Sequence, residues 1–304
     1  MRRPAALPDP LTTAPFHVRE ADLLAVSRAR LRATDLAAPF RGVRVPLSLI
    51  ENASPEQRFE ILCAAYRSKL PPHWFFSHVT AARLLGVPVP RRHELLEVHV
   101  SSTTPHERPR GRWVRGHSAP TARFRSISGH CVREPAELWC ELASMLSFDE
   151  LIQAGDRLLA ERPFALATLR EMASAVKKHG RRIGAKKLKL ALPLLRTNVW
   201  SPKETHVRLV MLRAGLPEAE NNKPIFDRSG TLIAIGDLVL ERWMTVVEYE
   251  GERWHRDPWS GIDVDRYNAL SRLGWTIVKI RKHHTKADIE RLIREALIAN
   301  GWRP

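Results

Sequence analysis

Cysteine is scarce in this chain and never closely spaced. Cys63, Cys131 and Cys140 form no CxxC pattern, so neither a disulfide framework nor a cysteine-based zinc site is expected. Reduced thiols in a cytoplasmic protein are the simplest expectation. No uninterrupted apolar stretch approaches the ~18 residues that a membrane span needs, so no membrane partner is expected. The opening residues, MRRPAALPDP, are basic but carry no apolar core segment, and no secretory signal is expected there. Acidic residues are in deficit: 33 Asp and Glu stand against 49 Lys and Arg, a formal net charge of +16. That excess points to a polyanionic partner, nucleic acid before an anionic membrane. Self-repulsion that merely keeps a basic protein soluble is the alternative. Hydrophobic residues make up 44% of the 304, enough for ordinary cores, and the length suggests about two domains.

Local signals divide the chain into four stretches. Residues 1–50 begin with a proline-rich arm (1–15), expected to be disordered. Two short helices and a basic strand should follow, with Val43 and Val45 on one face and Arg44 on the other. That content suits a winged helix-turn-helix or, equally, a structural cap. Residues 51–162 should form an α/β domain. Ser54, Pro55 and Gln57 open a helix with a capping box and a stripe of Phe59, Leu62, Cys63 and Tyr66. A second helix in FFSHVTAARLLGVPVP should stop at Gly86. LLEVHVSS and WVRGHSA read as strands, and Glu134–Pro135 marks a turn from strand to helix. Residues 163–200 read as a basic helical linker, in which Ile183, Leu188, Ala191, Leu192 and Leu195 make a loose apolar stripe. Lys177, Lys178, Arg181, Arg182, Lys186 and Lys187 there are candidate phosphate contacts, or else a solvated helix face.

Residues 201–304 carry the chemistry. Ser201 should cap a helix that Pro202 opens and Gly215 closes, with Val207, Val210, Met211 and Ala214 buried. DRSG at 227–230 reads as a turn, TLIAIGDLVL as a strand and WMTVVEYEG as the next. Asp263 reads as the cap of a further helix ended by Gly274, TIVKI as a buried strand, and Thr285 with Asp288 as the start of the last helix. The order is α-β-β-β-α-β-α, a mixed sheet with flanking helices. Period-two alternation sets Glu248 and Glu250 on one face and Tyr249 on the other. A hairpin would bring Asp237 beside them. An unpaired carboxylate inside an apolar strand costs roughly 2–7 kcal/mol, and three on one face repel one another unless a cation sits among them. Mg²⁺ (or Mn²⁺) prefers such oxygen ligands, and hydrolysis of a phosphodiester is the chemistry that a hard ion would assist. Glu204 has a plainer reading as the third helical residue of a capping box. Lys279 and Arg281, at the end of TIVKI, are either phosphate contacts or rim charges.

The spacing D-x10-E-x-E resembles the PD-(D/E)xK nuclease signature, with Glu250 where lysine is usual. GDLVLERWMTVVEYEGERWH is similar to the core of very-short-patch-repair endonucleases and related bacterial endonuclease-like domains, over about Ser201 to Ile280. The resemblance implies an α+β fold with a restriction-endonuclease-like mixed sheet. It also implies metal binding by Asp237, Glu248 and Glu250, a supporting acid at Glu204, and a water-activating base at His255. The zinc-binding cysteines of the mismatch-repair enzymes are missing, so mismatch specificity is not implied. The block 55–162, through SHVTAARLLGVPVP, EVHV and CVREPAELWCELASML, resembles the C-terminal domain of antitoxins from abortive-infection (type IV toxin–antitoxin) systems. Two functions follow as expectations: a Mg²⁺-dependent DNA endonuclease or nickase in phage defence or mobile-element control, or a non-catalytic, antitoxin-like DNA-binding regulator with a degenerate nuclease fold. DNA is the expected partner, with a second copy or a defence-system protein besides.

Overall fold

A computed structural model of the chain describes residues 4–93, 97–127, 129–161, 165–250 and 260–304, with side chains from 265 onward in the last stretch. The chain is α+β with mixed sheets, and it separates into two compact units, 1–144 and 145–304. No described helix is long and apolar enough to cross a membrane.

The first unit contains β1 (Phe16–His17), α1 (Val18–Leu23), β2 (Leu36–Ala37), β3 (Val43–Pro46), α2 (Pro55–Arg67), β4 (Trp74–Phe76), α3 (His78–Leu84), β5 (Val98–Ser102), β6 (Arg110–Gly111), β7 (Val114–Ser118), β8 (Phe124–Ile127), β9 (His130–Arg133) and α4 (Pro135–Leu142). A small sheet runs β1-β3-β2, and a six-stranded mixed sheet runs β6-β7-β5-β4-β9-β8. The Ser54/Gln57 capping box forms as expected, and Gly86 ends the second helix region at φ +65°. Two expectations are corrected. The arm is ordered from residue 4: Leu11 lies in a 3₁₀ turn and is buried with Phe16, Ala21 and Leu31, with Leu7 packed against them. Burial of each such side chain is worth about 1.5–3 kcal/mol, which offsets the missing local periodicity. The two helices expected before Pro46 are one six-residue α-helix and a 3₁₀ turn at Arg30–Arg32. Val43 and Val45 are buried and Arg44 is turned aside, donating to the Leu31 carbonyl.

The second unit contains α5 (Phe148–Leu159), α6 (Leu169–His179), α7 (Ala185–Ala191), α8 (Pro202–Arg213), β10 (Glu220–Phe226), β11 (Leu232–Leu240), β12 (Thr245–Glu250), α9 (Ser260–Arg272), β13 (Thr276–Arg281) and α10 (Lys286–Ala299). From α8 onward the order is α-β-β-β-α-β-α. The sheet runs β10-β11-β12-β13, antiparallel except for the parallel β12/β13 pair. One face, with Leu238, Leu240, Val247, Val278 and Ile280, packs on Val207, Val210 and Met211 of α8 and on Ile289, Ile293 and Leu297 of α10. The opposite face, with Ala234, Val239 and Val246, packs on Leu270 of α9 and on Trp275. The helix α9 begins at Ser260, so Asp263 lies inside it rather than capping it.

The stretch expected to link two domains is part of this unit. Leu188 and Ala191 of α7 are fully buried, and Met172 and Val176 of α6 are buried too; Ile183, counted in the expected stripe, is exposed. Helix α5, which sequence alone joins to the preceding block, is anchored here. Its Asp156, 1% exposed, accepts from the Arg196 N–H at 2.8 Å, the Thr205 hydroxyl at 2.9 Å and the Arg208 guanidinium at 2.6 Å. A charge buried so completely persists only with partners of this quality.

Candidate active site

The site is assembled by α8, β11, β12, α9 and β13. Register pairs Leu238 with Val247 across β11 and β12, and Asp237 and Glu248 follow just past that pair on the two neighbouring strands. The Tyr249 N–H donates to Asp237 Oδ2 at 2.9 Å. Alternation then turns Asp237, Glu248 and Glu250 toward the α9 side of the sheet, while Tyr249 packs with the α8/α10 core. Gly236 permits the close strand seam beside Asp237: a Cβ there would come within 2.7 Å of Val239 and 2.8 Å of Val246.

Glu204 arrives from the first turn of α8. Ser201 caps the helix through the Glu204 N–H, at 3.2 Å. The Glu204 carboxylate completes no capping box; Oε2 instead accepts from the Trp200 N–H at 2.9 Å and from the Asn222 side-chain amide at 2.6 Å. Burial lifts the Glu204 carboxyl above the usual range, and the nearby charge of Asp237 lifts it further, against the hydrogen bonds from Trp200 and Asn222. Asp237 is lifted too, first by burial, with the Tyr249 hydrogen bond and the charge of Arg266 pulling the other way. Both acids are thus poorly solvated, and the charge of Asp237 disfavours ionisation of Glu204.

Glu248 is 6% exposed, and Oε2 lies 3.8 Å from the Arg266 guanidinium on α9. Glu250 has a different environment. Lys279 Nζ is 2.8 Å from Oε1, and Arg281 Nε is 2.9 Å from Oε2. Burial raises Glu250, but these cations outweigh it and hold the carboxyl below its usual value. Both cations come from β13, whose parallel register sets Lys279 beside Glu248 and Arg281 beside Glu250. Among the described residues, neither Asp237, Glu248 and Glu250 nor Glu204, Asp237 and Glu248 form a group of three whose oxygens all lie within 4.8 Å of one another. His255 lies outside the described residues.

Of the other expected phosphate contacts, Lys177, Lys178, Arg181, Arg182 and Lys186 are exposed along α6, α7 and the turn between them. Lys187 is half-buried and donates to the Leu146 carbonyl. Lys279 and Arg281 are committed to Glu250. Sequence alone leaves Arg266 undecided between the acidic face and solvent, and no local spacing marks Asn222 as a partner of Glu204. Nor does any spacing mark His78, His99 and His117, which the first unit gathers within 4.8 Å of one another from three separate segments.

No family model matches the chain, and no solved structure matches it significantly. Two uncharacterized proteins from two strains of Mycobacterium tuberculosis are similar to it. Each is 31% identical over 169 residues, 54% of this chain and 59% of theirs. The chain thus spans little more than half the length of the relatives it matches.

Proposed function

We propose that the second unit is a nuclease acting on DNA with Mg²⁺ or Mn²⁺, held by Asp237 and Glu248 with Glu204 in support. The observation that carries this reading is the pair of buried carboxyls Glu204 and Asp237, both lifted by burial and Glu204 lifted further by the charge of Asp237, with Glu248 on the neighbouring strand β12. The chemistry of these donors suits a hard divalent cation, whose ligands are carboxylate oxygens and whose binding would draw the three acids closer together. When bound, the ion supplies an acidified water and neutralises charge developing on the phosphodiester.

The remaining roles belong to this chain's own residues. The Tyr249 N–H holds Asp237 in one orientation. The Asn222 amide and the Trp200 N–H hold Glu204. Lys279 pairs in register with Glu248, but its ammonium is held by Glu250 at 2.8 Å, so it would have to leave Glu250 to supply the charge that lysine usually brings at that position. Glu250, neutralised by Lys279 and Arg281, serves as their anchor more than as a ligand. His255, carried over from the resemblance, is assigned the proton from the attacking water. The element order α-β-β-β-α-β-α agrees with the restriction-endonuclease-like resemblance. The exposed basic residues of α6 and α7 suit sequence-independent phosphate contacts.

One observation favours the rival reading of a non-catalytic DNA-binding regulator: the closed ion-pair cluster around Glu250 resembles a structural network. Plasmid nicking with Mg²⁺ or Mn²⁺, against an EDTA control, separates the two. The nuclease reading expects cleavage by the wild type and none by Asp237→Asn, with DNA binding retained. Binding without cleavage under either ion establishes the regulator.

A further inference from the structure

The first unit gathers three imidazoles that the nuclease proposal does not use. His99 lies on β5 and His117 on β7, where the parallel register pairs Ser101 with His117. The two histidines are therefore diagonal neighbours on one face. His78 opens α3 directly after β4, and the Ser77 N–H donates to the His99 carbonyl at 3.1 Å, which ties that junction to β5. One ring nitrogen from each histidine lies within 4.8 Å of the others. His117 Nε2 and His99 Nδ1 share a hydrogen bond that a bound ion would replace, and lie 3.2 Å apart. That is close to the edge of a tetrahedron built on ~2.0–2.1 Å metal–nitrogen bonds, about 3.3 Å.

The outer atoms are those that metal-bound histidines use. His78 Nδ1 faces the Ser77 hydroxyl at 3.0 Å and Glu141 Oε2 at 3.5 Å. A proton held on Nδ1 leaves the Nε2 lone pair for a ligand. Glu141 is itself fixed, by the His78 N–H at 3.2 Å and by Arg133 at 3.3 Å. On the far side of His99, Nε2 lies 3.9 Å from Glu97. Carboxylates behind ligating imidazoles orient the rings and raise their basicity. His78 adopts φ +50°, a costly conformation for a residue with a Cβ, and one that concentrates at functional sites.

We propose that His78, His99 and His117 bind one divalent transition-metal ion of the Zn²⁺ class, with Glu141 as the positioning carboxylate. Three imidazoles suit Zn²⁺, Cu²⁺, Ni²⁺ or Fe²⁺ over Mg²⁺. Three protein ligands leave a position for water or an exogenous group, and the partly exposed His78 and His117 give it access to solvent. The proposal is independent of the nuclease reading and concerns the other unit.

The test uses the full chain carrying Asp237→Asn, stripped of metal, so that ions at the acidic site do not contribute. Titration with Co²⁺ should give a visible d–d band of a four- or five-coordinate ion, saturating at one per chain and displaced by Zn²⁺. His117→Gln should weaken binding by more than the ~10–100-fold that loss of an outer-shell partner costs, and Glu141→Gln should cost about that much. Circular dichroism and the melting temperature of the metal-free variants establish that the fold is kept. Should His99→Gln or Glu141→Gln fail to fold, the partly exposed His117 remains the deciding position. Absence of the band in the parent protein overturns the proposal. So does a band and affinity unchanged in His117→Gln, which would put the ion elsewhere, for instance on the adjacent pair His283 and His284.

Discussion

Asp237→Asn distinguishes a carboxylate kept for a cation from one kept for the fold. Asparagine preserves side-chain size and a carbonyl to accept the Tyr249 N–H, now 2.9 Å from Oδ2. What it removes is charge. Burial raises Asp237 above its ordinary 3.8, and Asp237 in turn raises Glu204. A carboxyl whose folded pKa exceeds its unfolded value binds more protons folded than unfolded. Stability therefore falls as pH climbs through that interval, and the deficit persists above it. Without divalent ions the variant should be the more stable protein near neutral pH, and the advantage should disappear below the unfolded value of 3.8.

Relief of functional strain of this kind is worth about 0.5–2 kcal/mol. For a unit of this size, each kcal/mol moves Tm by about 2–4 °C. Saturating metal should invert the order: an ion at about 100 times its Kd stabilises the wild type by about 2.7 kcal/mol, a gain the variant largely forgoes. Thermal melts of both proteins across acid to neutral pH, in EDTA and in Mg²⁺ or Mn²⁺, show the crossing or its absence. A variant less stable than wild type in EDTA at neutral pH, with no inversion in metal, would refute the reasoning and make Asp237 a structural acceptor.

Three other outcomes follow from the same geometry. Neutralising Lys177, Lys178, Arg181, Arg182 and Lys186 together should flatten the slope of log K against log salt for DNA by up to about 0.9 for each phosphate left without its cation; an unchanged slope in fluorescence anisotropy moves the DNA surface elsewhere. Asp156→Ala leaves Arg208 buried without its counter-charge and should cost about 3–5 kcal/mol in urea unfolding; a cost under about 1 kcal/mol would mean that α5 is not anchored through this residue. His255→Ala should slow nicking by roughly 10²–10⁴-fold, the usual worth of a positioned acid or base. Unchanged cleavage would remove His255 from the mechanism.

Much of the second unit was legible because its signals are local. Caps such as Ser201 before Pro202, and Thr285 with Asp288, are hydrogen bonds between residues three apart, so they are written into adjacent sequence. Alternation in VVEYE determined which side chains share a face, since a strand's side chains repeat every two residues. The fate of each carboxylate was a matter of tertiary structure. Glu248 and Glu250 are equivalent in the pattern, yet β13 pairs beside them in parallel and delivers Lys279 and Arg281 to Glu250, while α9 turns Arg266 toward Glu248. The arm at residues 4–15 was illegible for a related reason: nothing periodic marks Leu7 and Leu11, and their burial exists only because Phe16, Ala21 and Leu31 fold back over them. The three histidines show the same limit. Each is unremarked in its own segment, and only the pairing of β5 with β7, and of β4 with β5, brings their nitrogens together. Spacing along the chain specifies hydrogen bonds across a turn and faces along a strand; which charges meet depends on strands and helices pairing across long sequence separations.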